Sequence, residues 1–409
     1  MRASRTIAII GTFDTKGEEL GFLRDAIVAR GHRALLVDVA VRGDHGGADF
    51  DRHAVAARAG GGVDALVAAG DRGAALERMA AGASALVGEL HAAGRIDGAI
   101  GIGGGSGSAV TSAPLRTLPF GFPKVLVSTK GAGDVSAFVG TRDIAVMFSV
   151  TDVMGLNPIL RRVLRNAANA VCGMAEAAAE EGAPAAAGKV VAVTAFGVTT
   201  PAAERCRRRL LEAGFQVMVF HASGTGGRAM EELIAAGEID AVLDLTTTEL
   251  ADELCGGALT AGPHRLEAAG RRGIPQVAVP GALDMVNFGP PETVPPALRD
   301  RRLHRHNAGT TLMRTTAAEN AELGRIVAAK LAAATGPTEL LLPLGGISDY
   351  GRPGAPFHDP AADAAFVTSV TAAYGGTIVT SPCHINDPPF ADLAVDRLRR
   401  LIDAASGTP

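Results

Sequence analysis

Short, uninterrupted apolar runs alternate along the chain with stretches of helical period. This is the pattern of βα units feeding a mostly parallel sheet whose strands are buried on both faces. Thr6–Ile10, Ala34–Val39, Gly98–Ile102, Lys124–Ser128 and Ile144–Val150 read as strands, and Glu18–Arg30, Ala74–Ala93 and Pro158–Glu181 as helices. GAPAAAGK, from Gly182 to Lys189, reads as a linker. Strands then recur at Lys189–Val193, Gln216–Phe220, Ala241–Leu245 and Gln276–Val279. A last series, with strands at Glu339–Leu344 and Thr377–Ser381 and helices at Ala361–Ala373 and Phe390–Ala405, extends the second sheet.

The two series are copies of one pattern. TIAIIGTFDTKG at Thr6 aligns with KVVAVTAFGVTT at Lys189, and the offset of 183 persists without a gap to RGHRALLVD at Arg30 against AGFQVMVFH at Ala213. AGRIDGAIGIGGG at Ala93 then pairs with AGEIDAVLDLTTT at Ala236, and PKVLVSTKGAGDVSAF at Pro123 with PQVAVPGALDMVNF at Pro275. Four blocks in one order imply an internal duplication. The expected fold is two tandem, related, Rossmann-like three-layer α/β domains with mostly parallel sheets, at residues 1–183 and 184–409, with ligands at the carboxyl ends of the strands.

Composition narrows the function classes. The net charge of −4 over 409 residues offers no general attraction to nucleic acid or anionic lipid, and aromatics at 4% leave little for base-stacking surfaces. The four cysteines stand far apart, which fits a reducing compartment and no disulfide framework. No signal-peptide core precedes Thr6, so a cytoplasmic protein without membrane or nucleic-acid partners is expected. Glycine is the outlier: 52 residues, nearly twice the usual share of about 7%.

Those glycines concentrate where strands end. Gly101, Gly103, Gly104, Gly105 and Gly107 surround Ser106 and Ser108 after the third strand, and glycines at such a turn let a phosphate approach the backbone while the serines donate to its oxygens. The first strand ends in Thr12-Phe13-Asp14-Thr15-Lys16, whose free amides and lysine suit an anion; alternatively Asp14 or Thr15 caps the helix and Lys16 is solvated. Asp38 ends the second strand, where doubly wound folds hold a ribose hydroxyl. Ser128-Thr129-Lys130 ends the fourth and faces the same crevice. Together these loops describe a nucleotide site, yet neither a Walker A sequence nor G-x-G-x-x-G is present, which disfavours a P-loop enzyme or an NAD dehydrogenase.

In the second domain the glycine turn is replaced by Asp244-Leu245-Thr246-Thr247-Thr248-Glu249. A basic stretch, Arg299 to Arg314, follows the next strand end at Asp284; it reads either as a solvated charge run or as an anionic-substrate pocket. In the second reading Arg314 anchors a carboxylate or phosphate, His306 moves a proton, Glu249 or Asp284 orients it, and Asp244, Thr247 and His384 line the site. A divalent metal held by His384, His306, Asp244 and Asp284 is the weaker reading, because no two stand at helical spacing.

GTFDTKGEEL, GIGGGSGS, FHASGTGGRAMEELI, DLTTTELADEL, PGALDMVNF, HRHNAGTTLMRTT and LPLGGISDYGRPGAPFHDPAADAAF resemble the Tm-1-like ATP-binding family over nearly the whole chain. The resemblance implies ATP on Asp14 of the GT-x-DTK loop and on the Gly103–Gly105 turn, and it points to a homodimer; with the glycine turn, the DTK loop and Asp38 at its strand ends, the first domain is expected to take the ATP with Mg²⁺. Two functions are then expected in competition. One is an enzyme using ATP in the first domain on a small anionic metabolite in the second; the other is a nucleotide-dependent binding or regulatory module without turnover.

Overall fold

The computed structural model describes residues 3–43, 45–68, 70–181 and 188–407. The chain forms two compact units, Met1–Ala185 and Ala186–Pro409. Most of the expected linker, residues 182–187, lies outside the described residues.

The first unit carries strands β1 (Thr6–Gly11), β2 (Arg33–Asp38), β3 (Gly98–Gly103), β4 (Lys124–Ser128) and β5 (Ala145–Phe148). They form one all-parallel sheet in the order β2-β1-β3-β4-β5. Successive side chains of a strand point to opposite faces, and both faces here are apolar. Ala8, Ile10, Leu35, Val37, Ala99 and Leu126 pack on Met79, Leu86 and Leu90 of the helix Arg72–Ala92. Ile7, Ile9, Ile100, Ile102, Val125 and Val127 pack on Leu20 and Leu23 of the helix Phe13–Ala29 and on Leu160, Leu164 and Val171 of the helix Pro158–Glu181. The result is three layers.

The second unit repeats the plan with β6 (Val190–Ala195), β7 (Gln216–His221), β8 (Ala241–Thr246), β9 (Gln276–Gly281), then β10 (Met285–Phe288), β11 (Leu303–Asn307), β12 (Thr310–Arg314), β13 (Thr338–Pro343) and β14 (Thr377–Ser381). Its parallel sheet runs β14-β13-β9-β8-β6-β7, so β6–β9 stand to one another as β1–β4 do, and the last two strands extend the sheet as expected. β10, β12 and β11 form a separate antiparallel sheet. The basic stretch after residue 299 is therefore largely a hairpin, in which β11 is the exposed edge.

Candidate functional site

In the order β2-β1-β3 the connection reverses between β1 and β3, and the loops at the strands' carboxyl ends part there to leave a crevice. A cleft of about 730 Å³ occupies that place. Thr12 lines it after β1, Asp14, Thr15 and Lys16 from the first residues of the helix Phe13–Ala29, Arg42 from the β2 loop, and Ser106 and Gly107 from the start of the helix that follows β3. Asp71, Arg72 and Asp152 complete the polar rim, while Val39, Val41, Val67, Ala75, Leu76 and Met154 make an apolar side.

The glycine turn divides its labour. Gly103 is where the chain folds back on itself: a Cβ there would lie 2.4 Å from the Gly107 carbonyl carbon and the Ser108 nitrogen. Gly104, Gly105 and Gly107 are different, because no protein atom comes closer than 3.7 Å to a Cβ built on them. That space is left open by the protein. The helix starts at Gly105 and runs to Thr117; its cap residue Gly104 has no side chain to satisfy the first-turn amides. Ser106 faces the cleft, but Ser108 is buried: its hydroxyl donates to the Gly103 carbonyl (3.1 Å) and meets Ser128 Oγ (2.7 Å).

Other sequence candidates brace this site from beneath. Asp38 is 1% exposed and its Oδ1 accepts from the amides of Phe13 (3.1 Å) and Ala40 (2.9 Å), so it holds the β1 loop and does not line the cleft. Burial raises its carboxyl above the usual range. Ser128 is buried likewise and accepts from the Lys130 amide (3.0 Å). Thr129 and Lys130 flank the turn beside Gly104 and Gly105. Lys16 Nζ donates to the Val153 carbonyl, and buried Glu19 accepts from the Gly155 amide (2.7 Å), which fastens the Asp152–Met154 wall to the β1 helix. Among the described residues no group of three His, Cys, Asp or Glu side chains is placed to hold a metal ion.

The second unit corrects the expectations for it. Arg265, with no exposed surface, donates from Nη1 and Nη2 to Asp244 (2.5 and 2.7 Å), from Nε to Glu249 (2.6 Å) and from Nη1 to Glu231 (3.3 Å). Glu249 Oε1 also accepts from the amides of Gly224 (2.7 Å) and Gly227 (3.1 Å), and a Cβ on Gly227 would strike that carboxylate at 2.2 Å. Asp244 and Glu249 are thus bound into the interior, and Thr247, buried, donates to the Val279 carbonyl (3.1 Å). Arg314 gives its N–H groups to the carbonyls of Phe357, Asp284, Thr315 and Asp359, to Thr315 Oγ1 and to Asp363 (2.5 Å), and keeps none for a substrate. His384 is 4% exposed, with Nε2 on the Ser348 carbonyl (2.9 Å) and Nδ1 accepting from the Asn386 amide (3.0 Å); burial lowers its pKa. His306 is exposed and meets Tyr350 Oη (2.8 Å), touching neither Glu249 nor Asp284.

Asp284 has no exposed surface and accepts from Ser348 Oγ (2.5 Å), while its Oδ1 has no partner among the described residues. Burial pushes its carboxyl up to about 6, against the pull of Arg314 and Ser348. A value raised above the unfolded one means that the folded protein holds the proton more tightly. The associated stability is complete below the ordinary carboxylate value and is lost as pH rises through about 6. Asp284→Asn is expected to remove this dependence, stabilising the protein at pH 8 by about 1–3 kcal/mol and leaving pH 4 unchanged. Urea unfolding at the two pH values reads it directly; an equal effect at both would assign the slope to another group.

Comparison with known proteins now bears on both units. The model of the N-terminal domain of the uncharacterised protein family UPF0261 matches residues 5–180, and that of its C-terminal domain matches residues 188–402. The chain belongs to the UPF0261 family. A family member from Clostridium tetani is 42% identical over 98% of this chain and its own whole length. One from Rhizobium meliloti is 45% identical over 97% of this chain and 99% of its own. The ToMV resistance protein Tm-1(GCR237) of Solanum lycopersicum is 36% identical over 96% of this chain, which spans 55% of that protein, so the Tm-1 resemblance holds. A putative UDP-N-acetylglucosamine 2-epimerase from Listeria monocytogenes overlays 68% of this chain and 79% of its own at 10% identity, with a TM-score of 0.24, too low to carry a fold comparison.

Sequence reasoning missed Arg42, Arg72, Asp152 and Met154 of this UPF0261 cleft, and the arginine at the centre of the second unit's network. Arg265 stands in TAGPHRLEAAG, a loop without periodicity, where nothing local marks it as buried. Among the described residues no helix is long and apolar enough to cross a membrane.

Proposed function

We propose that the first unit binds ATP with Mg²⁺ in the cleft at the β1/β3 crevice. The observation that carries this is the helix at Gly105: its unsatisfied first-turn amides, with Ser106 and Gly107, face a cleft whose glycines leave room for a phosphate. Lys16, Arg42 and Arg72 add positive charge, and Asp14 and Asp152 supply the one or two carboxylates with which Mg²⁺ commonly supplements substrate phosphates. The apolar side at Val39, Val41 and Leu76 suits a base. Calorimetry with ATP and Mg²⁺ on the full chain tests the reading; absence of binding at millimolar nucleotide rejects it.

Of the two functions, a binding or regulatory module without turnover is favoured by a specific observation. His306, Glu249 and Asp284 each have separate internal partners, and the arginine meant to anchor an anionic substrate is fully used. Self-association is the accompanying proposal. It is supported by apolar side chains left exposed at and after the edge strand β5, with Phe148 at 38% and Val150 at 55% exposure. Light scattering is expected to give twice the 41.5 kDa chain mass; a monomer at micromolar concentration counts against it.

A further inference from the structure

The second unit has a concavity of its own, about 480 Å³, away from its β6/β8 crevice and at the carboxyl ends of β9 and β13. Its walls are chiefly apolar, with Leu342, Ile347, Phe366 and Val367 inside and Leu344, 54% exposed, at the mouth. Into this surface come a few polar groups from the beginning of the helix Ala317–Ala332 and from the approach to and start of the helix Pro360–Ala373: Asn320, His358 and Asp363. An apolar hollow with a few convergent polar groups is the ordinary form of a small-molecule site.

Every one of those polar groups presents an acceptor. Arg314 Nη2 donates to Asp363 Oδ1 (2.5 Å) and so orients the carboxylate, whose Oδ2 makes no hydrogen bond among the described residues. His358 Nδ1 meets the Gly351 carbonyl (3.0 Å). A carbonyl only accepts, so Nδ1 carries the proton and Nε2 of the neutral ring carries a lone pair. Asn320 Nδ2 donates to Thr315 Oγ1 (2.8 Å) and the Thr316 carbonyl (2.9 Å), and its buried Oδ1 has no partner among the described residues. Arg314 has spent its donors on the protein, Arg302 donates to the His358 carbonyl (3.1 Å), and Arg352, between the lining residues Gly351 and Pro353, pairs with Asp349 (3.2 Å). Against these three arginines stand Asp363, Asp359, Asp349 and Asp284, the last lying against Gly351.

We propose that this pocket binds a small organic amine, its apolar body against Phe366 and Val367 and its ammonium donating to Asp363 and His358. A carboxylate or phosphate would meet side-chain acceptors there and an excess of negative charge, whereas an ammonium brings three donors and the complementary charge. The site is independent of the nucleotide reading, and it reverses the sign of the ligand first expected for this unit.

The test uses the full chain and three probes of one shape: benzylamine, benzyl alcohol and benzoate, followed by saturation-transfer NMR titration. Benzylamine is expected to bind more tightly than the alcohol and benzoate not at all. Asp363→Asn, which keeps an acceptor for Arg314, should weaken benzylamine at least tenfold and leave the alcohol unchanged. Val367→Trp should abolish both by filling the hollow; Ala364→Trp, at an exposed lining position, does the same if the first variant folds poorly. The proposal is overturned if none of the probes binds, if benzoate binds as well as benzylamine, or if benzylamine binding survives a filling variant whose circular dichroism matches the parent.

Discussion

Gly107→Val is expected to weaken ATP binding by at least tenfold, about 1.4 kcal/mol, without unfolding the protein. The two halves of that expectation have separate grounds. A Cβ at Gly107 meets nothing nearer than the Ile102 carbonyl oxygen at 4.0 Å, so the fold has room for the side chain. The branched substituent then stands in the first turn of the helix, on the cleft, where a phosphate must come close to the backbone. Gly104→Val probes the same approach from the cap position, where the nearest atom is Thr129 Oγ1 at 3.7 Å. Gly103→Ala is the contrasting case: it strikes backbone at 2.4 Å and should cost stability whether or not nucleotide is present. Calorimetry on Gly107→Val and Gly104→Val, with thermal unfolding alongside, separates these outcomes. If both variants fold and bind ATP like the parent, the phosphates do not lie on this turn.

The largest loss of stability is expected from Arg265→Met, about 3–5 kcal/mol in urea unfolding. Methionine matches the bulk of the stem but leaves Asp244 and Glu249, 1% and 0% exposed, without their cation. The native chain already accepts strain to bring Arg265 inward, since Leu266 beside it has φ of +71°, which is unfavourable for a residue with a Cβ. Arg325→Ala is the control: its pairing with Glu322 lies on an exposed helix face, and its removal should stay within about 0.5 kcal/mol. Equal stability of Arg265→Met and the parent would mean that the buried carboxylates take up protons or water at little cost.

What the sequence revealed and what it hid follow from the range of the interactions. The parallel strands were legible because burial on both faces turns each into an unbroken apolar run, as in TIAIIG and VLVS. The duplication was legible because it needs only comparison of the chain with itself. The hairpin of β11 and β12 was not: LHRHN is an exposed edge and shows neither an apolar run nor a strict alternation. The helix start at Gly105 was hidden by glycine's poor helix propensity. In the cleft, Thr12, Asp14, Thr15, Lys16 and Ser106 stand within a few residues of strand ends, whereas Arg72 and Asp152 arrive from segments far along the chain. The charged residues of the second unit carried the right chemistry for a site, and only tertiary structure reveals that Arg265 and Asp363 claim them.

Glu249 has a consequence for how the two halves meet the solution around them. Its carboxylate occupies the glycine amides at 224 and 227, so this part of the second unit brings its own counterion when it folds. The first unit's glycine turn has no such resident group. Phosphate or sulfate in a buffer should therefore compete with nucleotide at one half of the molecule and pass unnoticed at the Gly224 nest of the other. An apparent ATP affinity that falls as sulfate replaces chloride at constant ionic strength would report that asymmetry, with one copy of the duplicated fold still open to exchange and its sibling closed by an amino acid.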